Sequence, residues 1–156
     1  MKSTASIRVA KENEWQIIQR LNYEVFEASL PYDQHLNMKW PFEKAGIAYY
    51  KEAVSKPKYC CLLAEIGSEP VGYLIGVEHN YTYRLNKVAE IDNMGVIPTF
   101  RDKGIGTQLI TEFKKWCKSQ AITDVKVNTY YGYSEAINFY KKQGLVPIDI
   151  TLEGTC

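Results

Sequence analysis

The sequence predicts a single domain of mixed α/β class. Three observations predict it. Two apolar runs of strand length, Lys58 to Ile66 and Val71 to Asn80, flank a short turn sequence. Further on, Ile105, Leu109, Ile110, Phe113, Trp116 and Cys117 recur at helical spacing and form one apolar face. Between them, the stretch Glu90 to Leu109, EIDNMGVIPTFRDKGIGTQL, reads as strand, break, glycine turn and helix in immediate succession. At 156 residues the chain can bury one good core, and no linker, repeat or low-complexity segment divides residues 1–156.

The elements follow in order. Ser6 to Val9 reads as a short strand. Asn13 is placed to cap a helix in which Trp15, Ile18, Leu21 and Val25 share a face. Leu30 to Pro41 reads as a loop. A second helix is expected from about Phe42 to Ser55, stopped ahead of Pro57 because the residue before a proline avoids the helical region. Gly67-Ser68-Glu69-Pro70 joins the two apolar strands as a hairpin turn. Tyr81 to Asn86 then connects to a strand over Glu90 to Val96, the third of a meander. After the helix of 104–119, Val125 and Val127 alternate in a strand from Asp124 to Thr129. Ser134 is positioned to cap a last helix, Glu135 to Gln143, with Gly144 just past its end. Val146 to Leu152 reads as a final strand.

Composition narrows the function. A net charge of +1 provides no field to draw the chain to nucleic acid or an anionic membrane, so neither is expected as a partner. No apolar run approaches the roughly 18 residues of a membrane span, and nothing at the start reads as a signal peptide. A soluble, cytoplasmic protein is expected. Cys60, Cys61, Cys117 and Cys156 form no CxxC pair, and the first three read as small buried hydrophobes. Cys60 and Cys61, being adjacent, would face opposite sides of a strand. His35 and His79 stand apart from any acid cluster, so no metal site is expected.

The chemistry centres on the glycine turn. The first N–H groups of a helix have no internal partners and carry partial positive charge, and Gly104 and Gly106 let the backbone approach an anion closely. Arg101 and Lys103 add cationic side chains. A P-loop would need G-x-x-x-x-G-K-[ST], but the residues just before Gly104 include no glycine, and Thr107 follows Gly106. A dinucleotide fingerprint would need a third glycine where Leu109 stands. Asp124 lies at the distance of the ribose-binding acid but would begin a strand rather than end one.

The segment resembles the pyrophosphate loop of the GNAT acetyltransferase superfamily, whose pattern is an apolar strand ending in V-x-P followed by [QR]-x-x-G-x-[GA] at a helix start. Here Val96-Ile97-Pro98 precedes Arg101-x-x-Gly104-x-Gly106. An ordinary strand-to-helix turn could show the bare glycine pattern. The V-x-P at fixed distance makes the likeness specific. A second family signature, N-x-x-A-x-x-F-Y-x-K-x-G-F, is similar to Tyr133 through Leu145, with Ala136, Phe139, Tyr140, Lys142 and Gly144 matching. Tyr133 replaces the asparagine and Leu145 the phenylalanine, which puts one polar contact to the cofactor in doubt.

The resemblance implies the GNAT fold: a central, mostly antiparallel twisted sheet of about six to seven strands, flanked by four helices and splayed at the acetyl-CoA site. It implies acetyl-CoA as cosubstrate, without a metal, and direct acetyl transfer to an amine. Cofactor contacts would come from Met94, Gly95, Val96, Arg101, Asp102, Lys103, Gly104, Ile105, Gly106, Thr107, Tyr133, Ala136 and Tyr140. The backbone N–H of Val96 would polarise the thioester carbonyl, and Tyr140 would protonate the leaving thiolate. Glu90, six residues before Val96, would serve as base. Asp92, on the same strand face, is the second choice or an amine-binding group. A pairing of Glu90 with Lys87 or Arg84 at the sheet surface is the non-catalytic alternative. Tyr32, Asp33 and His35, with Trp40, are candidates for binding the acceptor, since acids and aromatics suit a cationic amine. Tyr81, Tyr83, Tyr130 and Tyr131 belong near the cleft or at a dimer surface. The acceptor would be a small cationic amine, with a peptide N-terminus or lysine as the alternative. A non-catalytic acyl-CoA-binding module and a homodimer pairing its 146–152 strands remain open.

Overall fold

The computed structural model describes residues 4–156 of the chain. Five strands lie in sequence order across one sheet: β1 (Ser6–Val9), β2 (Tyr59–Ile66), β3 (Glu69–His79), β4 (Val88–Val96) and β5 (Asp124–Val127). Neighbours are antiparallel except β4 and β5, which run parallel and are joined by α3 (Ile105–Ser119). The other helices are α1 (Trp15–Ser29), α2 (Lys44–Ser55) and α4 (Ser134–Lys142).

Strand alternation divides the core into two layers. Cys60, Leu62, Leu74, Ala89 and Ile91 face α3, where Leu109, Ile110 and Phe113 are fully buried. Cys61, Leu63, Tyr73 and Ile75 face α1 and α2, packing on Ile18, Leu21, Tyr50 and Ala53. Adjacent cysteines thus serve opposite layers, as period-2 geometry requires. Gly76 makes room for the first layer, because a Cβ there would lie 2.0 Å from Cε2 of Phe113.

Several boundaries differ from those read in the sequence. Asn13 caps nothing: Glu12–Glu14 forms a 3-10 turn, and Glu14 accepts from the Lys11 N–H at 2.7 Å while also gripping Arg8. The hairpin turn is only Gly67-Ser68, with Gly67 at φ +63°. Glu69 and Pro70 join β3, because a bulge at Ala64–Glu65 absorbs the register shift at Pro70. A second 3-10 turn, Trp40–Phe42, delays α2 to Lys44. Ser134 is the first helical residue of α4 rather than its cap, a position taken by Tyr133 without a side-chain bond. At the far end the expectation holds: Gly144, at φ +89°, closes α4 with bonds from its N–H to Lys141 and from Leu145 to Tyr140.

The largest difference is in strand number. Among the described residues the sheet has five strands, not six or seven, and 146–152 is not a strand. Its alternation is real, but Val146, Ile148, Ile150 and Leu152 are 63% to 86% exposed. An alternating pattern specifies a face and supplies no partner for the backbone. β5, at the sheet edge, also ends earlier than expected, at Val127.

Candidate active site

The site begins where β4 and β5 part. Their ladder pairs Val88 to Ile91 with Asp124 to Val127, and from Asp92 onward β4 has no strand on that side. The N–H of Ile97 donates back to Val71 on the β3 side at 2.9 Å. Alternation along the strand therefore turns the N–H groups of Val96 and Met94 into the open wedge. On the same edge the Val96 carbonyl accepts from Arg101 Nε at 2.9 Å. Two backbone donors are thus held at fixed spacing in a gap between strands.

A bulge shapes this strand. Ile75 pairs with Asn93 and Gly76 with Ile91, leaving Asp92 as the extra residue. The insertion keeps Met94 and Val96 on the α3 layer and puts Asn93 with Glu90 on the α1–α2 side. Asp92 reaches the same side and accepts from Tyr49 of α2 at 2.5 Å. Burial, reinforced by the Asp92 charge, pushes the Tyr49 phenol far above its ordinary range, so it remains a donor.

The glycine loop closes the wedge. A 3-10 turn over Pro98–Phe100 leads into two left-handed positions, Asp102 at φ +59° and Gly104 at φ +81°, with Lys103 between them. The first α3 turn bond is Gln108 N–H to Gly104 O, 3.0 Å, so the N–H groups of Ile105, Gly106 and Thr107 have no backbone acceptor among the described residues. They are the groups an anionic ligand would satisfy, beside exposed Arg101 and Lys103. Lys103 Nζ rests on the Thr99 carbonyl at 3.1 Å, within reach of the same space. Gly106 ties the loop to α4, because a Cβ there would sit 2.9 Å from Phe139 Cζ. These residues fit the pyrophosphate of a CoA thioester.

Next to Phe139, Tyr140 packs edge-on at 5.3 Å between ring centroids. Burial pushes its phenol up to about 12, with a smaller contribution from Tyr133, so it stays protonated through the neutral range. Ala136 lies half-buried one turn earlier on the same helix. Tyr133 stacks on Tyr32 at 4.8 Å.

On the acceptor side, the Glu90 carboxylate is met by the Tyr81 hydroxyl at 3.2 Å, Asn128 Nδ2 at 3.2 Å and His79 Nε2 at 3.4 Å. It pairs with neither Lys87 nor Arg84, which hold Glu78 and Asp124 instead. The Lys87 and Arg84 pairings are therefore not formed, and the ion-pair partner present is His79. Across the mouth, Tyr32 stacks between Tyr133 and Tyr130, and the Tyr130 hydroxyl donates to Asp33 at 3.4 Å. Asp33 also accepts from the His35 N–H, which shapes the loop; the His35 residue itself is exposed. Trp40 is not in the mouth: it stacks on Phe26 and borders Tyr49 and Tyr50 in the core.

Three contributors were not legible in sequence as site residues. His79 ends β3 and Asn128 follows β5, so only the sheet brings them to Glu90. Asn22 is buried on the apolar face of α1 and links Tyr50, Tyr73 and Asn93 in one hydrogen-bonded cluster. Its signal was a polar residue beside Leu21 on that face. Among the described residues, no helix is long and apolar enough to cross a membrane, and no three His, Cys, Asp or Glu side chains group as for a metal.

Comparison with known proteins matches residues 18–145 to the acetyltransferase (GNAT) family. An uncharacterised N-acetyltransferase of Methanocaldococcus jannaschii is 29% identical over 121 residues, covering 76% of this chain and 52% of the relative. A streptothricin acetyltransferase of Escherichia coli is 32% identical over 96 residues, covering 62% of this chain and 52% of the relative. The chain thus spans about half the length of these curated relatives. A crystal structure of a Bacillus halodurans protein superposes with a TM-score of 0.82 at 20% identity, covering 97% of this chain and 99% of the other.

Proposed function

The chain belongs to the acetyltransferase (GNAT) family, and from that premise we propose that it is an acetyl-CoA-dependent N-acetyltransferase, a single domain working in the cytoplasm on a small cationic amine. The observation that carries this reading is the wedge itself: the Met94 and Val96 N–H groups open beside a helix N-terminus with free donors. A thioester laid along β4 would receive the Val96 N–H on its carbonyl oxygen, where charge grows as the amine attacks. The N–H groups of Ile105 to Thr107, with Arg101 and Lys103, would hold its pyrophosphate. Ala136 and Tyr133 on α4 would line the remainder of the cofactor.

Glu90 takes a proton from the acceptor ammonium, directly or through one water. The freed nitrogen then attacks the carbonyl carbon, the C–N bond forms and the C–S bond breaks. Tyr140, kept neutral by burial, gives its proton to the departing thiolate, and the second proton shed by the new amide nitrogen restores the phenol through solvent. No covalent enzyme intermediate is required. Glu90, Asp92 and Asp33, together with the stacked Tyr32, Tyr130 and Tyr133, support a cationic acceptor. The E. coli relative, named a streptothricin acetyltransferase, favours a small molecule over a peptide.

Thermal unfolding with and without acetyl-CoA, with thiol release read across a panel of amines, tests the reading. At 100 times its Kd, a ligand specific for the native state adds about 2.7 kcal/mol, a rise of roughly 5 to 10 °C for a chain of this size. A shift with acetyl-CoA and none with NAD or ATP is expected, and thiol release identifies the acceptor. No shift at millimolar acetyl-CoA would overturn the proposal. Binding without turnover on any amine would leave an acyl-CoA-binding module.

The exposed alternation over 146–152 favours an assembly reading as well. We infer a homodimer in which this segment pairs with the free β5 edge of a second copy, covering Ile148 and Ile150. Sedimentation should give a dimer that Ile148→Lys dissociates; a monomer at all concentrations refutes it.

A further inference from the structure

The acceptor side of the wedge already contains an amine. Lys126 stands opposite Glu90 in the parallel ladder, one position before that ladder ends at Ile91 and Val127. Its Nζ lies 5.1 Å from the centre of the Tyr81 ring, and the Tyr81 hydroxyl donates to the Glu90 carboxylate at 3.2 Å. An aromatic face beside a carboxylate is what a cationic acceptor would need at this site, and this lysine occupies such a place.

Its attachments are weaker than those of the lysines that hold an oxygen. Lys87 holds Glu78 at 2.9 Å, Lys115 holds Glu112 at 2.6 Å, and Lys114 donates to the Gln143 carbonyl at 2.7 Å. Among the described residues, Lys126 Nζ makes no ion pair and no hydrogen bond to a protein oxygen; the ring alone holds it. Lys51 and Lys58 likewise lie over rings, those of Trp15 and Tyr59, but neither pairs across a ladder with the β4 carboxylate. Neutralising Lys126 therefore breaks no salt bridge, and its flexible stem can swing toward the open part of the wedge.

We propose that Lys126 is an acetylation site of the enzyme itself, modified in cis from bound acetyl-CoA when no acceptor fills the mouth. This rests on the acetyltransferase reading. Glu90 accepts the proton of the Nζ ammonium, and the Nζ lone pair attacks the thioester carbonyl. A C–N bond forms as the C–S bond breaks, the thiolate leaves with a proton from Tyr140, and the second proton shed by the new amide nitrogen restores the phenol through solvent. The product is free CoA and a neutral acetyl-lysine at the acceptor mouth. Removing the positive charge from the Tyr81 face frees that ring for a cationic acceptor, so the modified enzyme binds cationic amines with a lower KM.

The test is incubation of the full chain with acetyl-CoA and no amine, followed by intact mass and peptide mapping. One acetyl group on Lys126 is expected, gained at a rate independent of protein concentration and suppressed at least tenfold by a saturating acceptor. Lys126→Arg keeps a cation over Tyr81 and should lose that acetyl, with its folding checked by the acetyl-CoA thermal shift. An enzyme that turns over acceptor but leaves Lys126 unmodified after the amine-free incubation overturns this inference alone. Acetyl groups scattered over surface lysines at the rate seen in unfolded chain overturn it too. Absence of both cofactor binding and turnover overturns the acetyltransferase reading along with it.

Discussion

Replacing Glu90 by glutamine isolates proton removal with little disturbance to packing. The carboxylate is bordered by the Tyr81 hydroxyl, the Asn128 amide and the His79 imidazole. A glutamine of the same shape keeps an oxygen for Asn128 and presents an amide to the other two, so the cost to folding stays near 1 kcal/mol or below. The chemical cost is larger. A primary amine with a pKa near 10.4 is neutral in about one molecule in 2,500 at pH 7, a deficit of about 4.6 kcal/mol. A positioned base lowers a barrier by roughly 10²- to 10⁴-fold, about 2.7 to 5.4 kcal/mol, a range that spans this deficit. Thiol release by Glu90→Gln at saturating acetyl-CoA should therefore fall 10²- to 10⁴-fold at pH 7. It should recover about tenfold per pH unit as the solution itself deprotonates the amine. The acetyl-CoA thermal shift should be unchanged. A loss below tenfold, with the wild-type pH profile and the thermal shift intact, would refute Glu90 as the base and move the role to Asp92, with Asp92→Asn as the companion measurement.

Other outcomes follow from the same geometry. Tyr140→Phe should lower kcat about 10²-fold while keeping the acetyl-CoA thermal shift; a variant of undiminished kcat would remove Tyr140 as the thiolate's proton source. Alkaline stability should show the buried acids. Burial pushes Tyr140 up to about 12 from 10.0, and Cys60 up to about 12 and Cys117 up to about 11 from 9.0. These groups remain protonated in the fold while the unfolded chain ionises earlier. Their contribution is complete below about pH 9 and is lost as pH rises toward 12, so the melting temperature should be level through neutral pH and fall beyond pH 9. A level curve to pH 11 would refute this. Asn22→Leu would orphan the hydroxyls of fully buried Tyr50 and Tyr73. It should cost about 2 to 4 kcal/mol, read as a melting decrease of several degrees or more, and a decrease below 2 °C would show that the tyrosines find other partners.

How much could be read from the sequence depended on whether the information was local. The helix of Ile105 to Cys117 was legible because its period is carried by its own residues, and the glycine loop because Pro98, Gly104 and Gly106 act within a few positions of each other. The fifth-strand end and the 146–152 segment were not, since a strand is defined by a neighbour and the apolar alternation there names none. Capping failed at Asn13 and Ser134 for a related reason: both residue types suit a cap, but Glu14 reaching back to Lys11 and the Tyr133–Tyr32 stack fixed where the chain turns. In the site, Glu90 could be singled out as an acid in a central strand. Its partners could not, because His79 and Tyr81 reach it from the end of β3 and Asn128 from beyond β5, and only the sheet brings the two together.

The bulge at Asp92 is what lets one strand serve both substrates. Without it, strict alternation would put Glu90, Asp92 and Met94 on one face, and the acids would share the α3 layer with Met94 or draw Met94 out of it. With one extra residue, Ile91, Met94 and Val96 pack toward α3 while Glu90 and Asn93 look toward α1 and α2. The inserted residue needs support, since a bulge leaves part of the ladder unpaired. Here that support is polar and runs from the buried core out to the exposed Asp92: Tyr50 donates to Asn22, Asn22 donates to Tyr73 and Asn93, Asn93 donates to Tyr49, and Tyr49 donates to Asp92. The chain of bonds crosses from α1 and α2 to the bulged strand with every donor directed. At the buried end, breaking a link of Asn22 to Tyr50 or Tyr73 would strand a polar group at a cost of about 1 to 3 kcal/mol. Strand register and acid placement are therefore set by the same hydrogen bonds, which places the acceptor side of the wedge at a fixed offset from the N–H groups on its cofactor edge.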